Sequence, residues 1–264
     1  MHLLIDAGNT RIKWRAVESF GAVGESYAGA FPTSVDKVGD ELKLVLAQCS
    51  VERFRSVALS NVAGVEIRDA VESWCQEHAD APLFVAEVES ISGLVKPAYK
   101  VLANLGVDRW LAMLSAYEQR DGSCCVLSVG TAVTADFISS DGEHMGGVIA
   151  PGVALMMSSL FDNTRQVKPV SLKVPQIWEL GCDTLPCVEN GVAAMLQGFA
   201  AQIAQEGHDL GIKTVFVAGG DAMKILSWLE SAGMRCVHDD LLVIKGLQAL
   251  VVYKQKGLEA KVKV

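Results

Sequence analysis

One stretch of this chain occurs twice, and no other feature limits its fold as strongly. The run Leu4, Ile5, Asp6, Ala7, Gly8, Asn9, Thr10 returns as Val126, Leu127, Ser128, Val129, Gly130, Thr131, Ala132. Each copy is an apolar strand closed by a glycine turn, with threonine just after the glycine and a second β-rich run beyond it. Two halves with the same opening indicate duplication. At roughly 150 residues per domain a chain of 264 residues has room for two, and the expected halves are 1–118 and 119–264.

The remaining pattern is mixed α/β. Strand signals lie at His2 to Asp6, Ile12 to Val17, Ser56 to Leu59 and Pro82 to Val85, with helical periodicity at Leu42 to Gln48 and Glu66 to Glu77. From Val107, the spacing of Trp110, Met113, Leu114 and Tyr117 predicts a helix with one apolar face, stopped by Asp121 and Gly122. The second half carries helices at Val188 to Gln205 and Ala222 to Glu230 and a strand at Thr214 to Ala218. Gly191 and Gly198 sit on the first of these helices, where they suit either packing within the subunit or close approach of a helix from a second copy. The uncharged stretch Met145 to Phe161 contains Gly146, Gly147, Pro151 and Gly152, so it reads as a turn followed by a short buried helix and not as a membrane span.

Charge and cysteine content narrow the partners. Lys and Arg total 23 against 31 Asp and Glu, a formal charge of -8. That balance argues against a general nucleic-acid or anionic-membrane binder, which needs a basic surface. Any phosphate must be held locally. Seven cysteines without a CxxC indicate reduced thiols and a cytoplasmic protein, and the apolar run before Asp6 is too short for a signal peptide. The five histidines are scattered without metal-ligand spacing.

Three glycine turns follow apolar strands: Asp6 to Thr10, Gly130 with Thr131, and Gly219, Gly220, Asp221. Glycine lets backbone N–H groups approach a polyphosphate, although any one such turn can be only a turn. Asp6 suits hydrated Mg²⁺ and Lys13 suits phosphate. Asp108 and Arg109, after Gly106, offer a base for a substrate hydroxyl beside a cation for an anionic group. Asp108 also suits a helix cap, and Arg109 a surface ion pair.

Taken together, Asp6, Gly8, Asn9, Thr10 and Lys13, Tyr99 with Gly106, Asp108 and Arg109, Gly130, Thr131 and Thr134, Gly146 to Gly152, and Gly181, Asp183 and Thr184 resemble type III pantothenate kinase. Order and spacing match over nearly the whole chain, through Gly219, Gly220, Asp221, Gly246 and Leu247. The resemblance implies an α/β fold of two duplicated ribonuclease-H-like domains of the acetate and sugar kinase, Hsp70 and actin superfamily, around a nucleotide cleft. It implies ATP-dependent phosphorylation of pantothenate to 4'-phosphopantothenate, the first step of coenzyme A biosynthesis, with Mg²⁺ and a homodimer. By the same resemblance, Asp6, Ala7, Gly8, Asn9, Thr10, Arg11, Ile12 and Lys13 form the first phosphate turn and Gly130 and Thr131 the second. Gly219 and Gly220 lie against adenosine. Tyr99, Gly106, Val107, Asp108, Arg109 and Thr184 contact pantothenate, with Asp108 as general base. Two positions depart from the family pattern. Ser128 stands where many members bind a monovalent cation with Asp, which weakens K⁺ or NH₄⁺ as a cofactor, and Leu102 replaces a frequent proline. The competing readings are a sugar or polyphosphate phosphotransferase of the same superfamily and a non-catalytic nucleotide-dependent partner protein.

Overall fold

The hairpins predicted around the two glycine turns each seed one sheet. A computed structural model describes residues 1–20, 25–89, 94–161 and 179–262, and divides into two compact units, Met1–Ser115 with Leu241–Val264, and Ala116–Asp240. In the first unit, β1 (His2–Ala7) pairs antiparallel with β2 (Arg11–Val17), and β2 with β3 (Ser26–Pro32). On its other side β1 runs parallel to β4 (Ser56–Asn61), which runs parallel to β5 (Phe84–Val85). The sheet order is β3-β2-β1-β4-β5. Between strands lie α1 (Val38–Gln48) and α2 (Val65–His78), and after β5 comes α3 (Val107–Gln119).

The second unit repeats that order. Strands β6 (Cys124–Val129), β7 (Ala132–Ile138) and β8 (His144–Pro151) form an antiparallel meander, and β9 (Thr214–Ala218) and β10 (Cys236–His238) extend it in parallel from β6. The sheet order β10-β9-β6-β7-β8 therefore equates β6 with β1, β7 with β2, β8 with β3, β9 with β4 and β10 with β5. Helices α4 (Val153–Phe161) and α5 (Thr184–Asp209) join β8 to β9, α6 (Met223–Ser231) joins β9 to β10, and α7 (Leu242–Val262) ends the described chain.

Strand alternation explains which residues are left for chemistry. Leu3, Ile5 and Ala7 pack with Leu42, Val45, Ile67 and Val71 in the layer under α1 and α2. Burial of one such aliphatic side chain is worth about 1.5–3 kcal/mol. Asp6, out of phase with that set, points to the opposite face. In the second unit Cys125, Leu127 and Val129 pack on Val192, Leu196 and Ile203 of α5, so Ser128 occupies the face equivalent to that of Asp6.

Three features differ from the sequence reading. Residues 241–264 group with the first unit, because α7 packs on β1 and β4. At Gly246 that helix meets α3 so closely that an added Cβ would lie 1.8 Å from the Leu111 carbonyl oxygen. Gly146 and Gly147 lie within β8 and not in a turn, paired across the sheet with Phe137 and Asp136, and Gly146 takes φ +122 beside the register shift at Phe137 and Ile138. Helix α4 is half-exposed, with Leu155 and Leu160 on its outer side. Strands β3 and β8 carry mostly exposed small or mixed residues, which masks the period-two signal. Among the described residues, no helix is long and apolar enough to cross a membrane.

Candidate active site

The first glycine turn is held from two directions. Gly8 N–H donates to the Arg11 carbonyl at 3.1 Å and closes the turn between β1 and β2. Thr33, just past β3, then holds both limbs: its N–H donates to the Thr10 carbonyl at 3.1 Å and its hydroxyl to the Gly8 carbonyl at 2.7 Å. Each such bond contributes about 0.5–1.5 kcal/mol, and together they leave Asn9, Thr10 and Arg11 exposed on a fixed frame. Ala7 and Ile12 are fully buried and pair with each other, so their main chains frame the turn while their side chains belong to the core.

Strand register brings charge to the end of β1. Asp6 stands opposite Lys13 on β2 and Ser60 on β4. The buried Ser60 hydroxyl donates to Asp6 Oδ1 at 3.3 Å. Burial, followed by the negative charge of Asp108, raises the Asp6 carboxyl to about 7, while Lys13 and the Ser60 bond act in the opposite direction. The mutual influence places Asp6, Lys13 and Asp108 in one electrostatic neighbourhood of the first unit. Ser60 was not legible as a site residue, because a serine in an apolar strand carries no pattern.

Asp108 lies inside the first turn of α3 and not at its cap position, and its Oδ1 accepts the Arg109 N–H at 2.8 Å. Gly106 makes room for that carboxylate, since a Cβ there would sit 2.6 Å from Asp108 Oδ1. Arg109 is buried, not a surface ion-pair residue. Its Nη1 donates to the Tyr99 hydroxyl at 3.0 Å, and the guanidinium carbon stands 5.8 Å from the Tyr99 ring centre. Trp110, fully buried, anchors the helix start by donating from Nε1 to the Val95 carbonyl at 3.2 Å. Tyr99, Gly106, Asp108 and Arg109 thus lie together at the start of α3.

In the second unit the turn at Gly130 and Thr131 is held by the equivalent bond. Gly152 follows Pro151 as Thr33 follows Pro32, and its N–H donates to the Thr131 carbonyl at 2.9 Å. A Cβ at Gly152 would lie 1.9 Å from the Gly130 carbonyl oxygen, so the residue must be glycine. Gly219 presses on the same strand end: it has φ +102, and a Cβ would come within 2.3 Å of the Val129 carbonyl oxygen. Its N–H donates to Asp240 Oδ1 at 3.1 Å, while Asp221 N–H donates to the Val129 carbonyl at 3.0 Å and its carboxylate pairs with Lys224 at 2.6 Å. Ser128 has Thr134 and Ala218 as cross-strand partners where Asp6 has Lys13 and Ser60.

Thr184 begins α5, after Asp183, whose Oδ1 accepts the Thr184 N–H at 2.7 Å. It lines a largely apolar groove of about 1180 Å³ with Leu155, Leu160, Cys187 and Met195. Among the described residues no cluster of three or more His, Cys, Asp and Glu is placed to hold a metal. The donors at Asp6 are hard oxygens in excess negative charge, a set that fits one-point attachment of a hydrated Mg²⁺.

A family model described as type III pantothenate kinase matches residues 2–206. The chain is 34% identical over 258 residues to the type III pantothenate kinase of Teredinibacter turnerae, covering 95% of this chain and 98% of that protein. It is 35% identical over 255 residues to that of Pseudomonas putida, covering 92% and 96%. Among solved structures, the activator of the 2-hydroxyisocaproyl-CoA dehydratase from Clostridium difficile with bound ADPNP matches with a TM-score of 0.55 at 10% identity, over 100% of this chain and 97% of that one. At that identity the likeness speaks for the fold, two ribonuclease-H-like units of the actin-like ATPase type.

The Asp6 shift has a stability consequence. Between about 4 and about 7 the folded protein keeps a proton on Asp6 that the unfolded chain has lost, so stability falls as pH rises through that window and the penalty is complete above it. Asp6→Asn cannot ionise. Without nucleotide or metal it is expected to be more stable than the parent by about 1–3 kcal/mol at pH 8, with most of that gain gone at pH 4. Chemical denaturation at the two pH values checks this, and a pH-independent difference would contradict it.

Proposed function

The chain belongs to the type III pantothenate kinase family and transfers a phosphoryl group from ATP to pantothenate in coenzyme A biosynthesis, and we propose that the Asp6, Lys13, Asp108 and Arg109 neighbourhood performs the transfer. The observation that carries this reading is the coupling of Asp6 to both Asp108 and Lys13 beside the clamped Gly8 turn. Asp108 accepts the proton of the pantothenate primary hydroxyl as the new P–O bond forms. Proton acceptance is worth about 10² to 10⁴ in rate, and in a loose transition state it comes late. Arg109, oriented by Tyr99, holds the pantothenate carboxylate through its planar donors, with Gly106 and Val107 shaping the chain entry and Thr184 giving a further contact.

The turn Gly8 to Arg11 and the turn Gly130 to Thr131 present N–H groups to ATP phosphates, Lys13 supplies positive charge, and Gly219 with Gly220 lies against the adenosine. Asp6 holds hydrated Mg²⁺, which when bound neutralises charge on the transferring phosphates. A cytoplasmic setting fits the seven free cysteines.

The second copy of a homodimer completes the pantothenate site in this reading. Helix α5 suits that contact: Met195 is exposed, and among the described residues a Cβ at Gly191 or Gly198 would meet nothing within 4 Å. Sedimentation at assay concentration is expected to give a dimer, and a monomer with full activity contradicts the arrangement.

Purified protein is expected to release ADP from ATP in a pantothenate-dependent manner, and Asp108→Asn to lower kcat by about 10²-fold or more with little change in the KM for ATP. Near-normal turnover in that variant removes Asp108 from the base role. Because Ser128 offers a neutral hydroxyl, exchanging K⁺ for Na⁺ is expected to change the rate by less than about twofold. A steep K⁺ requirement would overturn that assignment.

A further inference from the structure

The seven cysteines fall into two classes. Cys49, Cys75, Cys124 and Cys125 are buried, and Cys236 is half-buried. Burial raises all five thiols, Cys75 and Cys124 to about 12 and Cys236 to about 11, which suppresses the thiolate needed for reaction. Cys182 and Cys187 are exposed, and both line the groove beside Thr184.

The two flank the start of α5. Asp183 is the N-cap, so Cys182 precedes the cap and Cys187 is the fourth helical residue. These are the two positions whose side chains meet across a helix start in a hydrophobic staple. Contacts at the helix start agree. The Cys187 thiol donates to the Gly181 carbonyl at 3.2 Å, the peptide unit that leads directly into Cys182. The Gly181 backbone is so close to Cys187 that an added Cβ would stand 2.5 Å from its amide nitrogen.

We propose that Cys182 and Cys187 form a reversible modification site, closing to an intramolecular disulfide in reaction with a low-molecular-mass disulfide. Cys182, having given its proton to solvent, attacks one sulfur of the oxidant, and the other half leaves as a thiolate that takes up a proton. Cys187, likewise deprotonated, attacks the Cys182 sulfur of the mixed disulfide and expels the second small thiol. Two cysteine thiols are oxidised and one small disulfide is reduced to two thiols. Asp183 and Thr184 lie inside the ring that closes, so the disulfide displaces the start of α5. The kinetic consequence, a weaker grip on pantothenate, rests on the reading of Thr184 as a substrate contact; the disulfide itself does not.

The test treats reduced, full-length protein with oxidised glutathione. The expected product is monomeric on non-reducing electrophoresis, lighter by two hydrogens, linked between Cys182 and Cys187 by peptide mapping, and restored by dithiothreitol. Cys182→Ser and Cys187→Ser each abolish that product while leaving the other five thiols intact. The KM for pantothenate is expected to rise at least about threefold on oxidation of the parent and to stay constant in a treated variant that carries both Cys182→Ser and Cys187→Ser. On the parent protein, a stable glutathione adduct, an intermolecular disulfide, or oxidation at any of the other five cysteines overturns the site. A disulfide that forms with unchanged KM overturns its coupling to substrate. Failure of the reduced protein to turn over pantothenate counts against the kinase roles, whereas mass and mapping judge the thiol pair independently.

Discussion

A single backbone hydrogen bond, made once in each unit, holds the parts that the chemistry needs. The residue after a strand-ending proline donates its N–H to the threonine carbonyl of the neighbouring glycine turn, Thr33 to Thr10 and Gly152 to Thr131. Without it each turn would be a free hairpin tip, and its N–H groups would sample many directions. The two copies have diverged around this bond. Thr33 adds a hydroxyl bond to Gly8, whereas Gly152 has the Gly130 carbonyl against it and can carry no side chain. One turn is held by an extra bond and the other by close packing, and both end in a fixed geometry.

Charge at the first turn opposes stability. An ionised Asp6, poorly solvated and facing Asp108, costs folding free energy, which Lys13 and Ser60 only partly offset. A chain of formal charge -8 that binds two anions has to place positive potential at points and not over a surface, and in the proposed site backbone N–H groups, Lys13 and Arg109 supply it. In the proposed site that same negative charge is what a hydrated divalent cation at Asp6 would neutralise.

Much of this was legible in the linear chain. The repeat, the glycine turns and the Tyr99 to Arg109 segment carry local signals, since turns, caps and helix faces depend on residues within a few positions of one another. Other features were not legible. Ser60 joins Asp6 only through parallel pairing of β4 with β1, and Thr33 reaches the turn only because β3 returns beside β2. Neither residue has a neighbour in sequence that betrays its role. The edge strands β3 and β8 escaped because exposed edge residues lack apolar alternation.

The amino-acid sequence by itself determined the duplication, the α/β class, the family and the identity of the residues at both turns, because those properties are written in local pattern and order. Tertiary structure decided the rest. It assigned α7 to the first unit, where Gly246 meets Leu111, paired Asp6 with Lys13 within electrostatic reach of Asp108, and buried Arg109 beside Tyr99. These outcomes depend on long-range register and on the desolvation that packing imposes. A carboxylate's proton affinity and a helix's choice of partner become defined only when distant segments exclude water from the same place.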